Sequence, residues 1–286
     1  MKLAHLILTH ANPQQSERLI KRLSHPDAHW FIHVDAKTDI KPFLYLKNIP
    51  NVQFVEKREK VTWGAYSIIQ ATINGLTAIV NHNINFNYVN LLSAQDYPLV
   101  STETIHQFLE KNLDRAFTEF YLVATEWQEA IFRLKKYHLT NHQFKGNQWV
   151  EKWMNKLLPE RKMPQNLIPV GRSQWFTIAG KHAKYIVDYL NKHKDVQRFF
   201  DLTWGSDEIV IQTILYNSPF RQDMVNDNLR YIDWSEGKPS PKTFTLNDAN
   251  TLLSCGKLFA RKFNDTVDVA ILNKLDEAAG LSPIKV

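Results

Sequence analysis

The sequence predicts an α/β protein: a Rossmann-type, mixed and mostly parallel sheet flanked by helices, in a single domain over residues 1–286 with a helical insert. Short apolar runs ending on polar residues alternate with stretches of helical period, the pattern of strand, crossover and strand. The run at 3–10, a helical period through Leu19, Ile20 and Leu23, and strands at 30–35 and 52–55 give a β-α-β-β opening. At 286 residues, 44% hydrophobic and 12% aromatic, the chain can bury one large core.

Along the chain, Asn12-Pro13 turns the first strand into the first helix. Ligands of such sheets gather at the strands' carboxyl ends, so Thr9, His10 and Asp35 are expected to share that edge. Asp35 there can accept bonds from a nucleotide's base or ribose, or act as a turn residue. Val61-Thr62-Trp63-Gly64 precedes a helix over 65–81 whose apolar face is Ile68, Ile69, Ala71, Thr72, Leu76 and Ile79. Tyr88 to Leu92 reads as a central strand, followed by a loop over 93–99 and a helix start at Ser101. A divalent ion bound between carboxylates and a diphosphate is commonly held by an Asp-x-Asp pair at this strand end. The sequence has none. Asp96 is a sugar or acceptor contact or else a turn stabiliser.

Residues 113–165 read as a helical insert in which Arg133, Lys135, Lys136, Lys145, Lys152, Lys156, Arg161 and Lys162 alternate with Trp127, Phe132, Tyr137, Trp149 and Trp153. Basic and aromatic residues so interleaved suit a nucleic-acid surface. They also suit a solvated insert whose aromatics pack on the main domain and frame an acceptor groove. No nucleic-acid signature supports the first, and no nucleic-acid partner is expected. A loop entering another strand follows at 168–178, and a helix at 182–192.

Thr203-Trp204-Gly205-Ser206-Asp207-Glu208 then runs into the apolar segment 209–215, which predicts a buried helix with Ser206 as N-cap. First-turn acids favour the helix dipole, and that suffices for Asp207. Glu208 leads a segment too apolar for the surface, and a carboxylate at the rim of a core is a candidate general base. Arg230 to Trp234 gives a late strand and 237–242 a rigid basic loop. In Leu258-Phe259-Ala260-Arg261-Lys262-Phe263 the two cations are bracketed by apolar residues, which suggests a fixed anionic partner.

A lone cysteine, Cys255, excludes an internal disulfide framework and suits a reducing compartment. No signal-peptide pattern opens the chain and no apolar run reaches bilayer length, so a cytoplasmic location is expected. The net charge of +6 points to anionic ligands or surfaces and leaves room for peripheral contact with an anionic membrane.

In order, His33-Val34-Asp35, Thr62-Trp63-Gly64, the stretch Asn90 to Leu99, Gly171 to Phe176, Asp207-Glu208, Asp233-Trp234 and Leu258 to Phe263 resemble the core-2/I-branching β-1,6-N-acetylglucosaminyltransferase family, which includes the peptide-O-xylosyltransferases. The resemblance covers almost the whole chain. It implies a GT-A fold and a metal-independent, inverting transfer of a sugar, GlcNAc first, from a UDP-sugar to a glycan or glycolipid hydroxyl in surface polysaccharide or glycoconjugate synthesis. By resemblance Glu208 is the catalytic base. Arg261 and Lys262 meet the diphosphate, with Ser240 and Lys242 near it; Thr9, Asp35, Thr62 and Trp63 hold uridine; Gln174 and Trp175 line the sugar. One departure stands out: xylosyltransferase-like members carry an acid where this chain has Gln174, which weakens xylose as the donor.

Overall fold

The computed structural model describes residues 1–282 and 284. The apolar run at the start becomes β1 (Leu3–Thr9), buried because protein covers both its faces. Helix α1 (Pro13–Arg22) starts where the Asn12 side chain accepts from the Gln15 N–H and proline takes the first turn. Then come β2 (Ala28–Val34), β3 (Val52–Phe54), α2 (Ser67–Val80), β4 (Tyr88–Ser93), β5 (Asp96–Pro98) and α3 (Thr102–Lys111), capped by the Ser101 hydroxyl. The middle of the chain gives β6 (Ala116–Leu122), α4 (Ile131–Lys135), α5 (Asn147–Leu157), β7 (Val170–Ala179), α6 (Gly180–Lys192) and α7 (Lys194–Asp201). Helix α8 (Val210–Tyr216), β8 (Met224–Asn226), β9 (Arg230–Ile232), α9 (Ala249–Ser254), β10 (Phe259–Arg261) and α10 (Val269–Ala278) complete it.

The main sheet has seven strands in the order β3-β2-β1-β4-β7-β6-β8. Only β7 runs against the others, pairing antiparallel with both β4 and β6. The sheet is therefore mixed and mostly parallel, as the β-α-β-β opening predicts. Side chains alternate between its two cores: Leu3 and Ile7 of β1 join one beneath α1, α3 and α10, while Ala4 and Leu6 join the other beneath α2, α6 and α8. Strand order reverses at β1, with β2 on one side and β4 on the other, which opens a crevice at their carboxyl ends.

Three expectations are corrected. The range 113–165 is not all insert, because Ala116–Leu122 is β6, a sheet strand whose alternating pattern is masked by its neighbours' charges; the helical excursion begins after it. Within that excursion α5 buries no residue and leaves Trp149 and Trp153 exposed, so these aromatics do not pack on the main domain. The loop over 93–99 contains β5, whose partners β10 and β9 form a second, three-stranded sheet. Pairing with a strand so distant in sequence leaves no local signal.

That small sheet is tied to α1 and α10 through Asp276, which is fully buried. Its carboxylate accepts from Arg18 Nη2 at 2.8 Å and Tyr97 Oη at 2.7 Å, and Arg22 Nε lies 3.1 Å away. Burial and the Asp276 charge together raise the Tyr97 pKa, so the phenol stays a donor. Asp276→Ala leaves two guanidinium groups without their counter-charge. It should cost about 3–5 kcal/mol and lower Tm by roughly 10 °C in a thermal melt.

Candidate active site

The crevice at the strand ends holds a cavity of about 370 Å³. Thr9 and His10 line it from the end of β1, Asp35 from the end of β2, and Ser93, Ala94 and Gln95 from the end of β4. Gln174 and Trp175 enter from β7, and Arg261 from β10. Two extra residues on β7 make this possible: Thr118 pairs with Phe176 and Phe120 with Arg172, so β7 bulges over 173–175 beside the cavity. Gln15, buried in α1, closes the far wall. Its amide donates to the carbonyls of Ala94 (2.7 Å) and Phe263 (3.1 Å) and its oxygen accepts from the Asp265 N–H (3.0 Å), which fixes Asn264 and Thr266 on the lining.

Among the described residues lining the cavity, Arg261 supplies the permanent positive charge. It is held from two sides. Its Nη1 lies 3.0 Å from Asp96 Oδ1 and donates to Ser93 Oγ, while its guanidinium stacks 4.3 Å from the Trp175 ring centroid. Asp96, expected as a sugar or acceptor contact or else a turn stabiliser, is 1% exposed and takes the second part; its oxygens accept from the Ser93 N–H at 2.8 Å and from Arg261. A carboxylate so enclosed anchors the arginine and does not face the cavity. Asp35, 6% exposed, accepts from the Lys37 N–H at 2.8 Å, and His33 beside it is kept neutral by burial, its pKa lowered to about 4.

Lys262 points elsewhere on the same rim. It donates to Ser240 Oγ at 3.1 Å and lies against the 240–242 loop through its N–H bond to the Lys242 carbonyl. Burial, then the neighbouring Arg261 charge, lowers its pKa. Lys242, expected near the phosphates, is paired with Asp248 Oδ1 at 2.6 Å, so it brings no net charge to an anion in this conformation. Ser240, Lys242 and Lys262 do not line the cavity itself.

Glu208 sits in a neighbouring cluster. Residues Ser206–Glu208 form a single 3-10 turn and α8 begins only at Val210; Ser206 is buried with its hydroxyl unpartnered and caps nothing. The expected N-cap fails because Gly205, at φ +63°, turns the chain into α8 one turn late. The Glu208 carboxylate, one-third exposed, accepts from Arg133 Nη1 at 2.6 Å. Arg133 itself stacks between the rings of Trp204 (4.4 Å) and Trp127 (5.0 Å). In sequence Arg133 is one basic residue among many, because two of its partners, Trp204 and Glu208, come from a segment some seventy residues on.

Two segments connect this cluster to the cavity. A Cβ on Gly171 would lie 2.1 Å from the Glu208 carbonyl oxygen, so β7 touches the Glu208 turn at Gly171 and the cavity at Gln174 and Trp175. Four strand residues span at most about 13 Å. The 61–64 loop does the same: Val61 lines the cavity, the Gly64 carbonyl accepts from the Gly205 N–H at 2.8 Å, and Trp63, 65% exposed, meets Trp204 edge-on. Thr62 faces away, its hydroxyl accepting from Gln143 at 3.3 Å. The structure thus brings Thr9, Asp35, Gln174, Trp175 and Arg261 into one cavity, with Glu208, Thr62 and Trp63 beside it and not on its lining.

Asp207, expected only as a first-turn acid, is half-buried beside Glu208. Desolvation, then the Glu208 charge, raises its pKa to about 7. A carboxyl whose folded pKa lies above its unfolded value gives stability present below pH 4 and lost as pH rises through about 7. Wild-type Tm should therefore fall between about pH 4 and pH 7, and Asp207→Asn should remove that fall in a pH series of melts.

Comparison with known proteins gives a family. The model of the Core-2/I-branching enzyme family matches residues 3–253. Xylosyltransferase 2 of Rattus norvegicus is 25% identical over 308 residues, covering 96% of this chain and 33% of that protein. Xylosyltransferase 2 of Homo sapiens is 24% identical over 305 residues, and the xylosyltransferase of Ciona intestinalis 22% over 296. The chain spans about a third of the length of these relatives, with 33% and 34% of them covered. A solved structure, mouse xyloside xylosyltransferase 1 in its apo form, aligns over 90% of this chain and 97% of that one at a TM-score of 0.38 and 8% identity. A family model that spans nearly all of the sheet, from β1 to α9, leaves one conclusion: the chain belongs to the Core-2/I-branching enzyme family.

Proposed function

We propose that the protein is an inverting glycosyltransferase that moves a sugar from a UDP-sugar to a hydroxyl of a glycan or glycolipid without a divalent metal. The observation that carries this reading is Arg261, a fixed cation at the strand ends of the sheet, seated on Trp175 and backed by buried Asp96. A preplaced guanidinium is the group a departing diphosphate requires, since negative charge develops there as the bond from C1 to the phosphate oxygen breaks. Lys262, with Ser240, stands on the same rim as a second donor. Asp35 and Thr9 take the nucleoside, and Gln174 and Trp175 the sugar.

In the proposed reaction the acceptor oxygen attacks C1, its proton passes to the Glu208 carboxylate, and the electron pair of the cleaved bond leaves with UDP. Arg133 must share or release Glu208 as the acceptor arrives. UDP-GlcNAc is the donor placed first, because Gln174 is an amide where xylosyltransferase-like members carry an acid. UDP-xylose is the second reading, favoured by the names of the matched relatives.

A thermal-shift panel of UDP, UDP-GlcNAc, UDP-xylose and GDP- and CMP-sugars, with and without EDTA, tests the reading. UDP species at about a hundred times Kd should raise Tm by roughly 5–10 °C, unchanged by EDTA. A shift abolished by EDTA overturns metal independence, and a shift with GDP- or CMP-sugars alone overturns the donor class.

A further inference from the structure

Helix α5 is attached to the protein by one face only. Asn155 exchanges bonds of 2.8 Å with the N–H and carbonyl of Tyr137, and Glu151, the helix's one acid, accepts from the Leu139 N–H at 2.7 Å. The opposite face is open. Trp149 (65% exposed), Trp153 (39%) and Leu157 (69%) lie on it at helical spacing, with Leu158 just beyond the helix end. Exposed Lys152 and Lys156 flank them along one side, and Lys156 Nζ lies 5.0 Å over the Trp153 ring.

We propose that this face of α5 docks on an anionic lipid surface. Charge chooses the occupant: the helix's only carboxylate is turned inward, so lysines alone accompany the apolar side chains, on a chain of net charge +6. Tryptophan rings favour the level of lipid headgroups, leucine the acyl boundary beneath, and lysine stems reach back to phosphate oxygens. Among the described residues no helix is long and apolar enough to cross a membrane, so the contact lies in the plane of the surface. A glycan platform fits less well, since hydroxyls need carboxylates or amides beside the ring, and the one charged group over either ring is the Lys156 ammonium, with Gln148 the one exposed amide next to Trp149 in sequence. Single-stranded nucleic acid fits less well too: the two rings are tilted by 60°, and the outward leucines offer nothing to a base. The same excursion carries Arg133, which bonds Glu208.

Co-sedimentation of the whole chain with phosphatidylcholine vesicles, and with phosphatidylcholine–phosphatidylglycerol vesicles, tests the proposal. Binding should be at least about tenfold tighter to the anionic vesicles and should weaken as salt is added. The double variant Trp149→Ala/Trp153→Ala should lose about tenfold in affinity for them, and Lys152→Glu/Lys156→Glu should erase the preference for anionic lipid. Each variant should melt as the wild type does, because the changed side chains are exposed. Equal partition to both vesicles, variants that bind like wild type, or an oligonucleotide or glycan array that binds through these residues where vesicles do not, would overturn it. The proposal stands apart from the reading of the cavity: variants that lose vesicles yet keep the UDP shift affirm both, and vesicle binding without any UDP shift condemns only the donor site.

Discussion

Glu208→Gln should lower the turnover of sugar transfer about a thousandfold, a barrier increase of about 4 kcal/mol, while leaving UDP affinity unchanged. The amide keeps an oxygen for the Arg133 bond of 2.6 Å, so the turn and the stacked arginine stay in place. What it loses is the ability to accept the acceptor's proton. Glu208 is also spaced from the cavity by the 171–175 stretch of β7, so its removal should not disturb the nucleoside or the diphosphate. Steady-state transfer rates and UDP titration on the same sample separate the two effects. Full turnover in the variant would remove Glu208 from the chemistry and move the search to Asp207 and Glu119, two carboxyls whose pKa values burial raises.

Arg261→Ala should be larger in consequence because it acts twice. Loss of charge-assisted bonds to a diphosphate should weaken UDP binding by about tenfold to a hundredfold. The same change strands Asp96, whose side chain is fully buried, without its cation, and should cost about 3 kcal/mol or more of stability. Adding Asp96→Asn separates the two, since a neutral amide needs no counter-charge. The double variant should recover most of the lost Tm and none of the lost affinity. Recovery of UDP binding along with stability would mean that Arg261 serves only the fold.

Much of this was legible in the sequence because the parallel half of the sheet is built from local pattern. Leu3 to Thr9 and Ala28 to Val34 are nearly continuous apolar runs that only a sheet covered on both faces explains. Thr9 and Asp35 follow as strand-end residues, and both line the cavity. What escaped notice depends on pairing across long distances. Asp96 looks like a loop carboxylate until β5 meets β10, 165 residues on, and delivers Arg261 to it. Arg133 gains its place from Trp127 and Trp204, which no local spacing joins. Ser206 fits the pattern of an N-cap, yet the left-handed Gly205 spends the cap position on a 3-10 turn.

The central claim is that a guanidinium at the strand ends takes the place of a metal at the sugar donor's diphosphate. A crystal structure of the protein with UDP, grown in EDTA, tests it most directly. The account predicts the diphosphate within hydrogen-bond distance of Arg261, the nucleoside against Asp35 and Thr9, and no cation between. UDP bound outside the cavity at the ends of β1, β2 and β4, or bound there only after a divalent ion is restored, would contradict it.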